Sequence, residues 1–143
     1  MRKEITKEIT RLVARHYTKK RYCVSTELGL RSRRQGSIRA DVLAMNMKNE
    51  IIIVEVKSSV ADFKTDTKYH LYLDYCNKLY IACTPDVASK IRDFVNTNVG
   101  IIEIGGSPRI TKPAKRRELS QKTVMQILTR LAFRNAEFNR YKK

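Results

Sequence analysis

Histidine and cysteine are too few and too scattered to build a structural zinc site. The chain has only His16 and His70, and Cys23, Cys76 and Cys83 contain no CxxC pair. The cysteines read as reduced packing residues of an intracellular protein. No apolar run approaches the about 18 to 20 residues of a membrane span. The opening segment, MRKEITKEITRLVARHY, is amphipathic and charged, unlike a secretory signal. The expected location is the cytoplasm, or a host's cytoplasm if the chain is phage-encoded. Internal repeats and low-complexity tracts are absent, and 143 residues suit one domain, 1–143.

Acidic residues are also scarce, 14 against 30 Lys and Arg, for a net charge of +16 and a pI near 10.1. Such a field calls for a polyanionic partner. A basic amphipathic N-terminus can lie on a membrane surface, but a second basic block at the far end weighs against a membrane partner. The distribution of charge is more informative than its total. Residues 1–40 carry 12 cations against 3 acids, residues 41–104 carry 7 against 9, and residues 105–143 carry 11 against 2. Two flanks of +9 therefore enclose a centre of −2. A protein that merely coats nucleic acid has no use for carboxylates inside its basic surface, whereas a nuclease needs them to hold divalent cations against a phosphate.

Apolar residues Ile5, Ile9, Leu12 and Val13, with His16 or Tyr17, recur at spacings of three and four and predict a helix over 2–18. A strand over 22–28 and a basic loop over 29–36 come after it. Residues 37–45 and 50–57 flank a short Asn-containing turn and predict a hairpin, with the second strand apolar on both faces and therefore central. Residues 58–77 open with capping chemistry and read as one or two helical pieces. A strand over 78–83, a helix from Thr84 to about Val95 with Pro85 in its first turn, and a strand over 99–104 come next. Ser107–Arg117 reads as a linker or short edge strand before a last helix over about 119–139. The expected fold is α/β, a mixed sheet with helices on its faces.

Glu55 and Lys57 are two apart on a strand and so share one face. Alone, that pair also describes an ordinary strand terminus reaching solvent. The hairpin adds a third member. With Met47-Lys48-Asn49 as a three-residue loop and Asn49 left-handed, Asn46 pairs with Glu50 and Asp41 falls opposite Glu55. Cross-strand neighbours lie about 4.5 to 5.5 Å apart at Cβ, close enough to chelate one ion and costly to keep ionised without one. A slip of one residue would turn Asp41 away. Oxygen ligands without His or Cys favour Mg²⁺, with Mn²⁺ able to substitute. Lys57 beside them can orient an attacking water or stabilise a pentacoordinate phosphate.

RADV (39–42), with EVK (55–57) beginning fourteen residues after its Asp, resembles the PD-(D/E)xK nuclease superfamily. The longer run over 39–83 is similar to the MmcB-like DNA repair family. The resemblance implies a restriction-endonuclease-like core and Mg²⁺-dependent hydrolysis of DNA, exonucleolytic or structure-dependent. It puts Asp41, Glu55 and Lys57 on the catalytic positions and Asp41, Glu55 and Val56 on the metal positions. Ala40 stands where the signature has Pro, a dispensable departure. Such folds often add a carboxylate from the first helix or adjoining strand, here Glu8 or Glu27, with Glu27 preferred. Asp62, Asp66, Lys68 and Tyr72 match recurrent positions of the longer run, where Asp66 and Lys68 contact DNA, orient Lys57 or form a surface charge pair.

Arg31, Arg33, Arg34 and Arg39 flank the proposed site and suit phosphate clamping, as does Lys68. A second set comprises Lys115, Arg116, Arg117, Lys122, Arg130, Arg134 and Arg140. Tyr69, Tyr72 and Tyr75 could stack on bases, but their spacing of three suits core packing better. DNA is the expected partner. Oligomeric state stays open, a homodimer included. A non-catalytic DNA-binding protein retaining the fold is the rival reading, and an RNA-directed nuclease a third.

Overall fold

A computed structural model describes residues 2–31, 34 and 36–141, with the side chains of residues 4–31, 34 and 36–137. Six strands form one mixed sheet in the order β1-β2-β3-β4-β5-β6. They are β1 (Cys23–Gly29), β2 (Arg39–Met45), β3 (Ile51–Val56), β4 (Lys78–Cys83), β5 (Gly100–Ile104) and β6 (Pro108–Lys112). β1, β2 and β3 pair antiparallel, β3, β4 and β5 parallel, and β6 returns antiparallel. The parallel pairs are joined by helical crossovers, as parallel pairing requires. These are α2 (Val60–Thr65) with a 3-10 segment Tyr69–Tyr75, and then α3 (Pro85–Ile91) with a 3-10 turn Arg92–Phe94.

Every residue of β3 is buried, because helices cover both faces of the sheet. On one face α1 (Arg2–Lys19) packs Ile9, Val13 and Tyr17 against Val42, Val54, Val56 and Tyr80. On the other, Phe63, Tyr72, Ile91 and, from α4 (Gln121–Tyr141), Ile127 and Leu131 pack against Leu43, Ile51, Ile53 and Ile81. β1 is an edge strand whose outward carbonyls α4 occupies. Arg130 donates to the Gly29 carbonyl at 3.2 Å, and Arg134 donates to those of Glu27 at 3.2 Å and Thr26 at 3.1 Å. An unpaired edge is thereby blunted by side chains.

The helix expected to run to Val95 stays α-helical only to Ile91 before tightening to 3-10, and Ser107–Arg117 contains the edge strand β6. β5 packs closely on the chain just beyond β6. A Cβ at Gly100 would lie 2.6 Å from the Lys112 carbonyl oxygen, 2.6 Å from the Tyr80 ring and 2.7 Å from the Ala114 nitrogen. Two of these are backbone atoms that cannot rotate away. Gly100→Ala is therefore expected to destabilise the protein by about 1–3 kcal/mol, read as a lower denaturant midpoint, whereas Gly106→Ala, with open space around it, should not.

Candidate active site

The β2–β3 turn sets the register that assembles the site. Asn49 adopts φ 64°, Asn46 accepts from the backbone N–H groups of Lys48 and Glu50 through Oδ1, and its own N–H donates to the Glu50 carbonyl. From there the ladder runs Met45↔Ile51 to Val42↔Val54, so the next position places Asp41 across from Glu55. At that step side chains replace the backbone partners. The Asp41 N–H donates to Glu55 Oε2 at 2.8 Å, and the Val56 N–H donates to Asp41 Oδ2 at 2.8 Å. Each carboxylate is strapped to the opposite strand and keeps one further oxygen.

Burial is the main cause that pushes both carboxyl groups above the ordinary range, and it lifts Glu55 to about 8. Asp41 raises Glu55 further, while backbone hydrogen bonds and Lys57 act to lower both groups. Tyr72, buried beside Glu55, donates its hydroxyl to the Arg39 carbonyl at 2.8 Å. That phenol is itself pushed up, first by burial and then by Glu55 and Asp41.

Lys57 extends β3 by donating its N–H to the Ala82 carbonyl of β4, and its side chain is buried. Its ammonium donates to Asp66 Oδ2 at 2.5 Å, with side-chain exposures of 9% and 17%. Asp66 is the C-cap residue of α2. Ser59 caps the other end by accepting from the Asp62 N–H at 3.0 Å, while Asp62 Oδ2 accepts from the Ser58 N–H at 3.0 Å. This local capping fixes α2, and with it Asp66, against the end of β3. Asp62 is close enough to Asp41 to raise it.

The structure thus brings together Asp41, Glu55, Val56 and Lys57, and adds Asp62, Asp66 and Tyr72 around them. Glu27, the extra carboxylate preferred from sequence, is exposed and adopts φ 53°, between Thr26↔Val42 and Leu28↔Ala40. Glu8 is exposed on α1, across the sheet from the cluster, where it pairs with Arg11 at 2.7 Å. The β1–β2 register sets Glu27 across from Asp41, while Asp62 on α2 and Asp66 at its C-cap bring further carboxylates near the end of β3. Arg39 is exposed two residues from Asp41, Arg34 is exposed and Arg31 half-buried in the adjoining loop, and Lys68 is exposed next to Asp66. Arg33 lies outside the described residues, as does the side chain of Arg140.

Arg116 and Arg117 lie elsewhere. Arg116 is 3.7 Å from Glu50 and Arg117 is 3.9 Å from Asp74, at the hairpin end of the sheet. Glu50 and Glu55 are five strand residues apart, about 16 Å. Arg130 and Arg134 are engaged with the β1 carbonyls. Tyr69, Tyr72 and Tyr75 pack on the core, in line with their spacing. Buried Asn77, which no sequence motif marks, pairs with both Ile51 and Arg117 and anchors that far end.

The donor set suits a hard divalent cation. Half-buried Asp41 and buried Glu55, held on neighbouring strands by opposite backbone N–H groups, gain from a positive ion that offsets their repulsion. Among the described residues no three His, Cys, Asp or Glu side chains form a metal-binding group. Mg²⁺ needs none, since one or two carboxylates and water complete its shell.

These features define an α/β protein with a six-stranded mixed sheet flanked by helices and, where β2 and β3 part, buried Glu55 and Lys57 beside half-buried Asp41. The chain belongs to the MmcB-like family, described as DNA repair protein MmcB-like, whose model matches residues 2–141. Its fold is similar to that of SPO1766, a protein of unknown function from Silicibacter pomeroyi. The TM-score is 0.79 at 25% identity, over 90% of this chain and 84% of that one. None of the curated proteins matches. No helix of the described residues is long and apolar enough to cross a membrane.

Proposed function

We propose that the protein is a Mg²⁺-dependent deoxyribonuclease of DNA repair, built on a restriction-endonuclease-like core. The observation that carries this reading is the reciprocal strapping of half-buried Asp41 and buried Glu55 beside the buried side chain of Lys57. A fold needing only stability has little reason to bury one carboxyl group and half-bury a second across the ladder from it. Asp41, Glu55 and the carbonyl of Val56 would hold the ion. Bound there, it supplies charge neutralisation at the phosphate and an activated water.

The chain's own groups do the rest. The two backbone hydrogen bonds fix the carboxylates in orientation, so little reorganisation remains when substrate arrives. Lys57, held by Asp66, presents a localised positive charge where charge develops on the phosphorus oxygens. Arg39, Arg34 and Lys68 on the rim suit phosphate contacts that position the backbone without reading bases. DNA of several geometries incubated with Mg²⁺, with Mn²⁺ and with EDTA tests the reading. Cutting is expected with either metal and not with EDTA, and Asp41→Asn should abolish it while duplex binding persists. Binding without cutting on every substrate would leave a non-catalytic DNA-binding protein, and cutting of RNA alone would change the substrate.

A further inference from the structure

The hairpin end of the sheet gathers cations that the active site does not use. The end of α1 brings Lys19, Lys20 and Arg21, the β2–β3 turn brings Lys48, and the segment after β6 brings Lys115 and Arg116. Glu50 draws these elements together. Its Oε1 accepts from the Tyr22 hydroxyl at 3.3 Å, and its Oε2 lies 3.7 Å from Arg116 Nε. Asn77 secures the last segment, since its carbonyl accepts from the Arg117 N–H at 2.9 Å and its Nδ2 donates to the Arg117 carbonyl at 2.9 Å. The carboxylates at this end are Glu50, Asp74 and Glu118, which pair with Arg116 and Arg117. Lys19, Lys20, Arg21, Lys48 and Lys115 are exposed and make no ion pair among the described residues.

Arg21 is the informative member. α1 closes in a Schellman motif, with Tyr22 N–H donating to the Tyr17 carbonyl at 3.0 Å and Arg21 N–H to that of Thr18 at 3.0 Å. Tyr22 and Tyr17 complete it with a ring contact at 5.2 Å. The residue at the centre of that motif must be left-handed, and Arg21 has φ 67° where glycine would cost least. The chain carries a guanidinium at a position whose backbone disfavours it. Strain kept at an exposed charge points to a use for that charge.

We propose that this pole is a second, metal-independent binding site for a nucleic-acid phosphodiester backbone, so that the protein holds two DNA segments at once. One segment lies at Asp41, Glu55 and Lys57, which rests on the nuclease function proposed for that site. The other lies about 16 Å away along β3. α1 covers one face of the sheet between the two ends, and Phe63, Tyr72 and α4 cover the other, so the sheet itself offers no open track joining them. The substrate class this favours is branched or folded-back DNA.

The test uses two short duplexes carrying donor and acceptor dyes, in EDTA. Wild-type protein should bring them together and give energy transfer. Combining Lys19→Ser, Lys20→Ser and Arg21→Gly should abolish transfer while the single duplex held at the active site keeps its affinity and its salt slope, since that segment makes no phosphate contact with the pole. Arg21→Gly alone should weaken bridging while the melting temperature stays level or rises, a combination that a purely structural arginine would not produce. Bridging by the triple variant at wild-type strength, no bridging by wild type, or wild-type binding to phosphatidylserine vesicles but not to duplex would each overturn the proposal. Failure to cut DNA in Mg²⁺ would count against the nuclease and leave this result readable, because bridging is measured without metal.

Discussion

Glu55→Gln is expected to remove cleavage and, in the same protein, to raise the melting temperature of the metal-free form at pH 8. The two effects have one cause. Burial and Asp41 lift Glu55 from its ordinary 4.5 to about 8 in the folded state. Between those values the unfolded chain gives up the proton and the folded chain keeps it, so wild-type stability falls as pH rises through that window. The slope from this group is at most about 1.4 kcal/mol per pH unit. Glutamine does not titrate, and its carbonyl can still accept from the Asp41 N–H. The melting curves of wild type and Glu55→Gln should therefore agree near pH 5 and separate progressively toward pH 8, with the variant the more stable. Mg²⁺ should stabilise wild type most at the alkaline end, where it no longer has to displace a proton, and should release protons when it binds in the middle of the window. Parallel pH dependence in the two proteins would show that Glu55 is not the group responsible.

Much of that site is legible in the chain alone. The Asn49 turn fixes the β2–β3 register through local chemistry, and the register alone puts Asp41 across from Glu55. Local signals, a left-handed Asn and alternating apolar residues, survive folding unchanged. What sequence cannot supply is the destination of long side chains and of charge runs. Asp66 could equally have formed a surface pair, and only the cap at Ser59 and the short α2 turn it back onto buried Lys57. Arg116 and Arg117 belong to the same kind of basic run as the rim arginines, yet Asn77 and Glu50 hold them at the opposite end. Arg130 and Arg134 read as free cations along a helix until β1 proves to be an edge strand in need of partners. β6 carries few apolar residues because it pairs at an edge, so its pattern resembles that of a linker.

The Lys57–Asp66 pair should prove costly to break and cheap to remove whole. Asp66→Ala leaves an ammonium in a buried position without its counter-charge, a loss of about 3–5 kcal/mol. Lys57→Met leaves a carboxylate with more access to solvent and should cost less. The double variant should recover much of the loss of Asp66→Ala, giving a coupling energy well above the few tenths expected of separate sites. Urea unfolding at pH 7 measures all three, and additive losses would mean that the pair is a surface contact. Mg²⁺ affinity then separates electrostatics from damage, because the two single changes shift it in opposite directions. Lys57→Met takes positive charge away from Asp41 and Glu55 and should tighten the ion. Asp66→Ala leaves that charge uncompensated and should weaken it. A variant that had merely loosened the fold would weaken the ion in both cases, whereas opposite shifts require Lys57 to act on the two carboxylates at short range.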